Sequence, residues 1–304
     1  MATIERVRNL EDPRLLPFRN QKDQWLRARH RAGSSGSGGS GTGLDPGVPG
    51  DLFMAEGLAL LERLLGSPHA VRSVLVSEHR LDAAGPVLER VPSGSDVFAA
   101  PRDVVAEIVG FDLHRGVLAC GRRVETHTAE DLIERAGLLV VLEGLSNHDN
   151  VGSIFRSVDA LAPRGEGFEP RAGVLLTPGC CDPLYRKALR VSMGAALRVP
   201  FAEIGDWPDR LGSIAAAGCR PVVLTPGEDA ADLAGLLAQS GVPGGGERFA
   251  LLLGAEGPGL SGRALAACDR VGGVRGRIGI EPGVDSLNVG VAAGIALHRL
   301  RSRA

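Results

Sequence analysis

Asp285-Ser286-Leu287-Asn288-Val289-Gly290-Val291-Ala292, near the end of a chain of 304 residues, reads as a polar loop running straight into an apolar helix. Leu287, Val291 and Ile295 recur at helical spacing, which predicts a closing helix over 286–300 with one apolar face. Two earlier stretches have the same form. Asn150-Val151-Gly152-Ser153-Ile154-Phe155-Arg156 follows the apolar run 138–142, and Leu253-Gly254-Ala255-Glu256-Gly257-Pro258-Gly259-Leu260 follows the run 249–253. Around them, strand patterns at 138–142, 174–177, 222–224, 249–253 and 277–280 alternate with helical patterns at 151–161 and 183–191. Such alternation argues an α/β protein with a parallel sheet covered on both faces. In these sheets ligands collect at the carboxyl ends of the strands, so polar residues placed just after an apolar run are expected to face the ligand crevice.

Upstream, helical spacing of Met54, Leu58, Leu61 and Leu65, a strand over 71–76, a helix around Val104, Val105 and Ile108, and a final strand over 116–120 describe a smaller α/β unit. A charged connector over 123–136 separates it from the larger one. Residues 4–31 carry eight basic against four acidic side chains, and a Gly/Ser run over 32–43 follows that cannot bury a core. Gly36, Gly38 and Gly41 in that run make a literal G-x-G-x-x-G, yet no strand precedes it and no apolar helix follows, so it fails as a dinucleotide fingerprint.

Composition narrows the class. A formal net charge of −2 gives no global attraction for polyanions, so any nucleic-acid surface has to be local. Arg186, Lys187, Arg190 and Arg198 are candidates to track phosphates, although a basic run on a helix is more often a solvated face. Cys120, Cys180, Cys181, Cys219 and Cys268 are odd in number with no C-x-x-C pair, which argues against a disulfide framework or a zinc site, and no metal is expected. The first residues lack a basic-then-apolar signal and no apolar run is long enough for a membrane span, so the chain reads as a cytoplasmic protein.

Each loop has a plain structural reading. Asn150 would cap a helix and Arg156 would be a solvated side chain; Glu256 would be an exposed acid in a Gly-rich turn; Ser286, in competition with Asp285, would cap the last helix. Jointly, however, N-x-G-x-I-x-R, G-x-E-G-x-G-L and S-L-N-V-x-V-A in this order resemble the three motifs of the SpoU (TrmH-like) family of RNA ribose 2′-O-methyltransferases. The similarity runs over 137–304 and takes in Asp182-Pro183-Leu184-Tyr185-Arg186 and Arg190-Val191-Ser192-Met193-Gly194. The resemblance implies a SPOUT α/β-knot catalytic domain, a parallel sheet with a C-terminal trefoil knot, over 137–304. Glu56-Gly57 and His114-Arg115-Gly116 look like an L30e-like RNA-binding domain over 51–122, placed between an extension over 1–50 and the linker 123–136.

The family likeness further implies S-adenosyl-L-methionine as cofactor, structured RNA (rRNA or tRNA) as substrate and a homodimer. Residue by residue, Asn150, Arg156, Glu256, Ser286 and Asn288 fall on the catalytic or substrate-positioning places, and Gly254, Ile278 and Leu287 on places lining the cofactor pocket. The chain departs from the family at Ile278-Gly279-Ile280, which replaces an Ile-Pro-Met-like triplet, and at Asn147, where Asp is commoner. His148 and the Cys180-Cys181 pair are not assigned a role in the chemistry. Two alternatives are a non-catalytic RNA-binding or ribosome-assembly factor with the same fold, and a nicotinamide-dependent oxidoreductase resting on the misplaced glycine cluster.

Overall fold

In a computed structural model of the chain, residues 2–19, 51–162, 169–227, 229–239 and 248–301 are described. The basic side chains at 22–31 and the Gly/Ser run with its glycine cluster lie outside them. The chain first runs through β1 (Ile4–Arg6), a 3-10 turn (Pro13–Phe18), β2 (Leu52–Glu56), α1 (Leu58–Leu65), β3 (Ala70–Ser77), α2 (Leu81–Leu88), β4 (Asp96–Ala100), α3 (Arg102–Val109) and β5 (Val117–Arg122). It continues with α4 (Ala129–Arg135), β6 (Leu138–Glu143), α5 (His148–Leu161), β7 (Ala172–Leu176), α6 (Arg186–Val191), β8 (Phe201–Glu203) and α7 (Leu211–Ala216). The last elements are β9 (Cys219–Leu224), β10 (Ala231–Asp232), α8 (Leu233–Gln239), β11 (Arg248–Gly254), α9 (Gly262–Arg270), β12 (Val274–Arg277) and α10 (Val289–Arg301). Two compact units result, Met1–Val124 with Leu184–Leu197, and Glu125–Pro183 with Arg198–Ala304.

The first unit is a five-stranded mixed sheet in the order β1-β4-β3-β5-β2. Three of its features differ from the sequence expectation. The residues around Met54 form a strand rather than the start of a helix: β2 pairs antiparallel with β5 along its whole length, and Gly57, at a φ of 100°, breaks the chain before α1 begins. Segment 4–18, read as part of a basic extension, adds β1 parallel to β4 and buries Leu15 and Phe18 against Leu52, Met54 and Phe98. Leu184–Leu197, read as part of the catalytic half, joins this unit as well.

The second unit is a seven-stranded, wholly parallel sheet in the order β10-β12-β9-β11-β6-β7-β8. Leu138, Leu139, Val140, Val141 and Leu142 are all at most 2% exposed, as a central parallel strand with both faces covered requires. Leu139 and Val141 join a core with Leu132 and Ile133 of α4, so the expected linker carries a capped helix that packs on the sheet. The strand expected at 277–280 ends at Arg277, which frees Ile278 and Ile280 for a loop. No helix among the described residues is long and apolar enough to cross a membrane.

Arg248, at the start of β11 and 7% exposed, ties this unit together at its lower edge. Its Nε donates to the Ala136 carbonyl at 2.9 Å, and its two terminal nitrogens donate to Ala217 at 2.9 Å and Ile133 at 2.7 Å. These carbonyls close α4 and α7, where unpaired oxygens concentrate the negative end of each helix. A guanidinium fork reaches all three. Arg248→Met, which keeps bulk but leaves the carbonyls bare, is expected to lower unfolding free energy by about 3 kcal/mol in urea titrations. A loss below about 1 kcal/mol would show that water replaces the fork without cost.

Candidate active site

The three loops singled out by sequence lie at the carboxyl ends of β6, β11 and β12 in the second unit, β6 and β11 being direct neighbours. After β6 the chain turns at Gly144, at a φ of 66°, whose N–H donates to Thr177 Oγ1 at 3.1 Å, and Asn147 then caps α5 by accepting from the Asp149 N–H at 2.9 Å. The cap, offered as the plain reading of Asn150, thus belongs to Asn147, and Asn150 lies in the first turn, where it is only 5% exposed. Buried Cys180 and Cys181 back the same loop: the Cys180 thiol donates to the Leu142 carbonyl at 3.1 Å, and the Cys181 N–H to that of Leu145 at 2.8 Å. Burial pushes the Cys180 thiol above its ordinary range, so it sits there as a neutral structural group.

After β11 the chain folds back on itself. Ala255 and Gly259 form an isolated bridge, the Gly259 N–H donating to the Ala255 carbonyl at 2.9 Å, and Glu256 stands exposed at the tip. Only glycine fits at 254, since a Cβ there would lie 2.1 Å from the Gly259 carbonyl carbon. The exit of the loop is anchored by Glu143 at the end of β6, which accepts from the Ser261 N–H at 3.0 Å and its hydroxyl at 2.6 Å. Ser261 in turn caps α9.

The third loop brings the other two together through one side chain. Asn288 Oδ1 accepts from the Gly290 N–H at 2.9 Å and the Val291 N–H at 3.3 Å, so this residue, rather than Ser286 or Asp285, caps the last helix. With the oxygen so used, the amide nitrogen faces the other way. It donates to Asn150 Oδ1 at 2.9 Å and to Glu256 Oε1 at 3.0 Å. One residue from each loop therefore meets at a single amide, and the assignment of its O and N follows from the helix N–H groups it caps.

Beside this junction opens a cavity of about 380 Å³. Gly254, Glu256, Ile278, Ser286, Leu287 and Asn288, six of the eight residues expected from sequence, line it. Asn150, bonded to Asn288, and Arg156 are not part of the lining; Arg156 lies two turns into α5, exposed, and without a hydrogen bond or ion pair among the described residues. Leu224, which ends β9, and Thr225 and Pro226, which follow it, also line the cavity and are not among the site residues expected from sequence. The signal was available, because Thr225 follows the apolar run 222–224 as the other loops follow theirs. Among the described residues no three His, Cys, Asp or Glu side chains form a metal-binding group.

If Asn288 joins the loops as described, Asn288→Ala should cost about 2 kcal/mol, from loss of the helix cap and of a donor to a buried acceptor. In a thermal double-mutant cycle with Asn150→Ala, coupling of at least about 0.5 kcal/mol is expected. Strict additivity would mean that the two residues do not act together.

The sequence model of the SpoU rRNA Methylase family matches residues 137–298. A protein of Mycobacterium bovis named an uncharacterized tRNA/rRNA methyltransferase is 40% identical over 252 residues, 83% of this chain and 81% of that one. Among solved structures, an AdoMet-bound rRNA methyltransferase from Sinorhizobium meliloti superposes with a TM-score of 0.70 at 21% identity over 98% of each chain. The SpoU methyltransferase AviRb from Streptomyces viridochromogenes gives a TM-score of 0.65 at 23% identity over 83% of this chain and 90% of its own. At those identities the two structures establish a shared fold, with a parallel sheet as in the second unit. The extent of the family match and the 40% identity over most of the length establish kinship: the chain belongs to the SpoU family of RNA methyltransferases.

Proposed function

We propose that this protein transfers a methyl group from S-adenosyl-L-methionine to a ribose 2′-hydroxyl of structured RNA, rRNA or tRNA, in the cytoplasm. The observation that carries the reading is the meeting of Asn150, Glu256 and Asn288 at one amide beside a cavity of about 380 Å³. That volume is in the range of small-molecule sites, and the lining suits the cofactor: apolar Leu224, Ile278, Ile280 and Leu287 for a purine, with close backbone approach at Gly254. When bound, S-adenosylmethionine supplies an electrophilic methyl on a sulfonium.

The residues' task is to present a nucleophile that is almost entirely protonated at neutral pH. A guanidinium cannot serve as the base because it stays charged. In this reading Arg156 orients the hydroxyl and its neighbouring phosphate by charge-assisted hydrogen bonds, and the hydroxyl proton lost on methylation passes to that phosphate or, by way of Ser286 and Asn288, to solvent. Glu256 holds the Asn288 amide, a positioning role. The homodimer belongs to the same proposal. Arg156 is exposed, lies outside the lining of the cavity and has no partner among the described residues, and Val284 and Val291 on the third loop and last helix are 50% and 53% exposed. A second subunit would cover those side chains and receive Arg156 at its own site.

The trefoil knot and an L30e-like RNA-holding domain at 51–122 complete the reading, with β1 and the 13–18 turn added to that domain and α4 to the methyltransferase domain of 137–304. Transfer of labelled methyl into bulk RNA, followed by nucleoside analysis, tests the whole. Alkali-resistant 2′-O-methyl nucleotides are expected. Arg156→Ala should reduce transfer by at least about 100-fold, the scale for removing one transition-state donor, with cofactor binding by calorimetry unchanged. Glu256→Gln should lower the rate without moving the pH profile. Label on bases alone would overturn the ribose assignment, and cofactor-independent RNA binding without transfer would favour a non-catalytic assembly factor.

A further inference from the structure

Phe111 is the one aromatic ring among the large apolar side chains exposed on the described surface, at 36%. It belongs to the first unit, on the short loop between α3 and β5. The loop is rigid: Gly110, at a φ of 77°, ends α3 through a 2.8 Å bond to the Ala106 carbonyl, and Leu113 points into the core. Asp112 is clamped by Arg102, whose terminal nitrogen reaches its two oxygens at 3.0 and 2.8 Å and holds that carboxyl below its usual range. One face of the ring is covered by the Arg186 guanidinium, 4.3 Å from its centre. The helix that carries Arg186 is fixed in turn by Arg190, which donates at 3.0 Å to Glu56, itself 8% exposed.

Two further cations belong to this loop or lie against it: Arg115 is four residues beyond Phe111, and Arg80 reaches Gly116 at the loop's end. The Arg115 stem lies over the Gly57 backbone, where a Cβ would meet its Cδ at 2.8 Å, and the Arg80 stem lies over Gly116, where a Cβ would meet its Cγ at 2.7 Å. Both glycines have positive φ and give the stems room, while both Arg side chains are exposed and have no carboxylate partner among the described residues. A braced aromatic ring backed by one guanidinium, on a loop that carries or touches two further Arg side chains, is an arrangement suited to an unstacked nucleobase and its adjoining phosphates. We infer that the Phe111–Arg186 pair is a stacking platform for an unpaired nucleotide, with Arg80 and Arg115 as phosphate seats, so that the RNA bound by this unit carries a looped-out or single-stranded base. This rests on the RNA substrate proposed above and narrows it from structured RNA in general.

The test uses the full-length chain, a fluorescent oligoadenylate dodecamer and a blunt RNA duplex of the same length. Phe111→Ala should weaken dodecamer binding on the order of tenfold, the scale of one stacked base, and change duplex binding by less than about twofold. Phe111→Leu, which keeps the packing against Arg186, should lose as much as Ala, whereas Phe111→Trp should bind as the parent and show indole quenching as RNA is added. Arg80→Ala and Arg115→Ala should each reduce the salt dependence by about one phosphate contact. Parental affinity in the Leu variant, equal losses for dodecamer and duplex, or no dodecamer binding by the parent would each overturn the platform. Methyl transfer into bulk RNA, run on the same preparations, keeps the two proposals apart: transfer with no role for the ring sinks the platform alone, and ring-dependent binding without transfer sinks the reaction alone.

Discussion

A single carboxamide sets the geometry of the site. The first free N–H groups of α10 need an acceptor, and Asn288 supplies its oxygen to two of them. An amide that gives its oxygen to one side has its nitrogen committed to the other, so the same bonds that begin the last helix aim two N–H donors at Asn150 and Glu256. Aspartate would cap the helix as well and could not make the second half of the arrangement. Helix initiation and loop registration are thereby one event.

That event depends on α10 lying where its N-terminus meets the other loops, and small residues decide this. A Cβ at Gly290 would sit 3.0 Å from that of Ser153, and one at Gly294 would sit 3.5 Å from Ser157 Oγ, so α10 and α5 pack through glycine and serine. Beneath them, the order β12-β9-β11-β6 places the ends of four parallel strands side by side. The loop bases are bonded to neighbouring loops: Gly144 to Thr177, and Ser261 to Glu143. Rigid bases carrying exposed tips are what a site needs if it is to hold polar groups in register and remain open to a large substrate.

How far the sequence disclosed this varies with the physics involved. Continuous apolar runs such as 138–142 and 249–253 came through because a strand buried on both faces has no polar positions to confuse it. Met54, Leu58, Leu61 and Leu65 misled because their spacing ignores Gly57, where the chain leaves a strand before entering a helix. The caps were hard to place for one reason: several Asx and Ser side chains stand near each helix start, and which of them caps is decided by tertiary partners. Asn147 is free to cap α5 because Asn150 is taken by Asn288; Asn288 caps α10 although Ser286 and Asp285 come first. Short β1 was illegible because three exposed residues acquire strand geometry only from β4.

The separation of Arg156 from the junction bears on how the proposed reaction divides its labour. Asn150 and Asn288 are neutral, and Glu256 spends one oxygen on an amide, so this trio is suited to fixing positions and poorly suited to moving a proton. Arg156 is permanently charged and equally unable to act as a base. With neither group able to take the proton, it passes to the substrate's own phosphate or to water, and rate enhancement would come from alignment and from the electrostatic effect of a guanidinium on a developing alkoxide, terms that in general can each supply several kcal/mol. An alignment mechanism tolerates little play in its supports. That requirement gives a physical reason for a site whose loops are tied at their bases, joined at their tips by one amide and backed by helices packed through glycine.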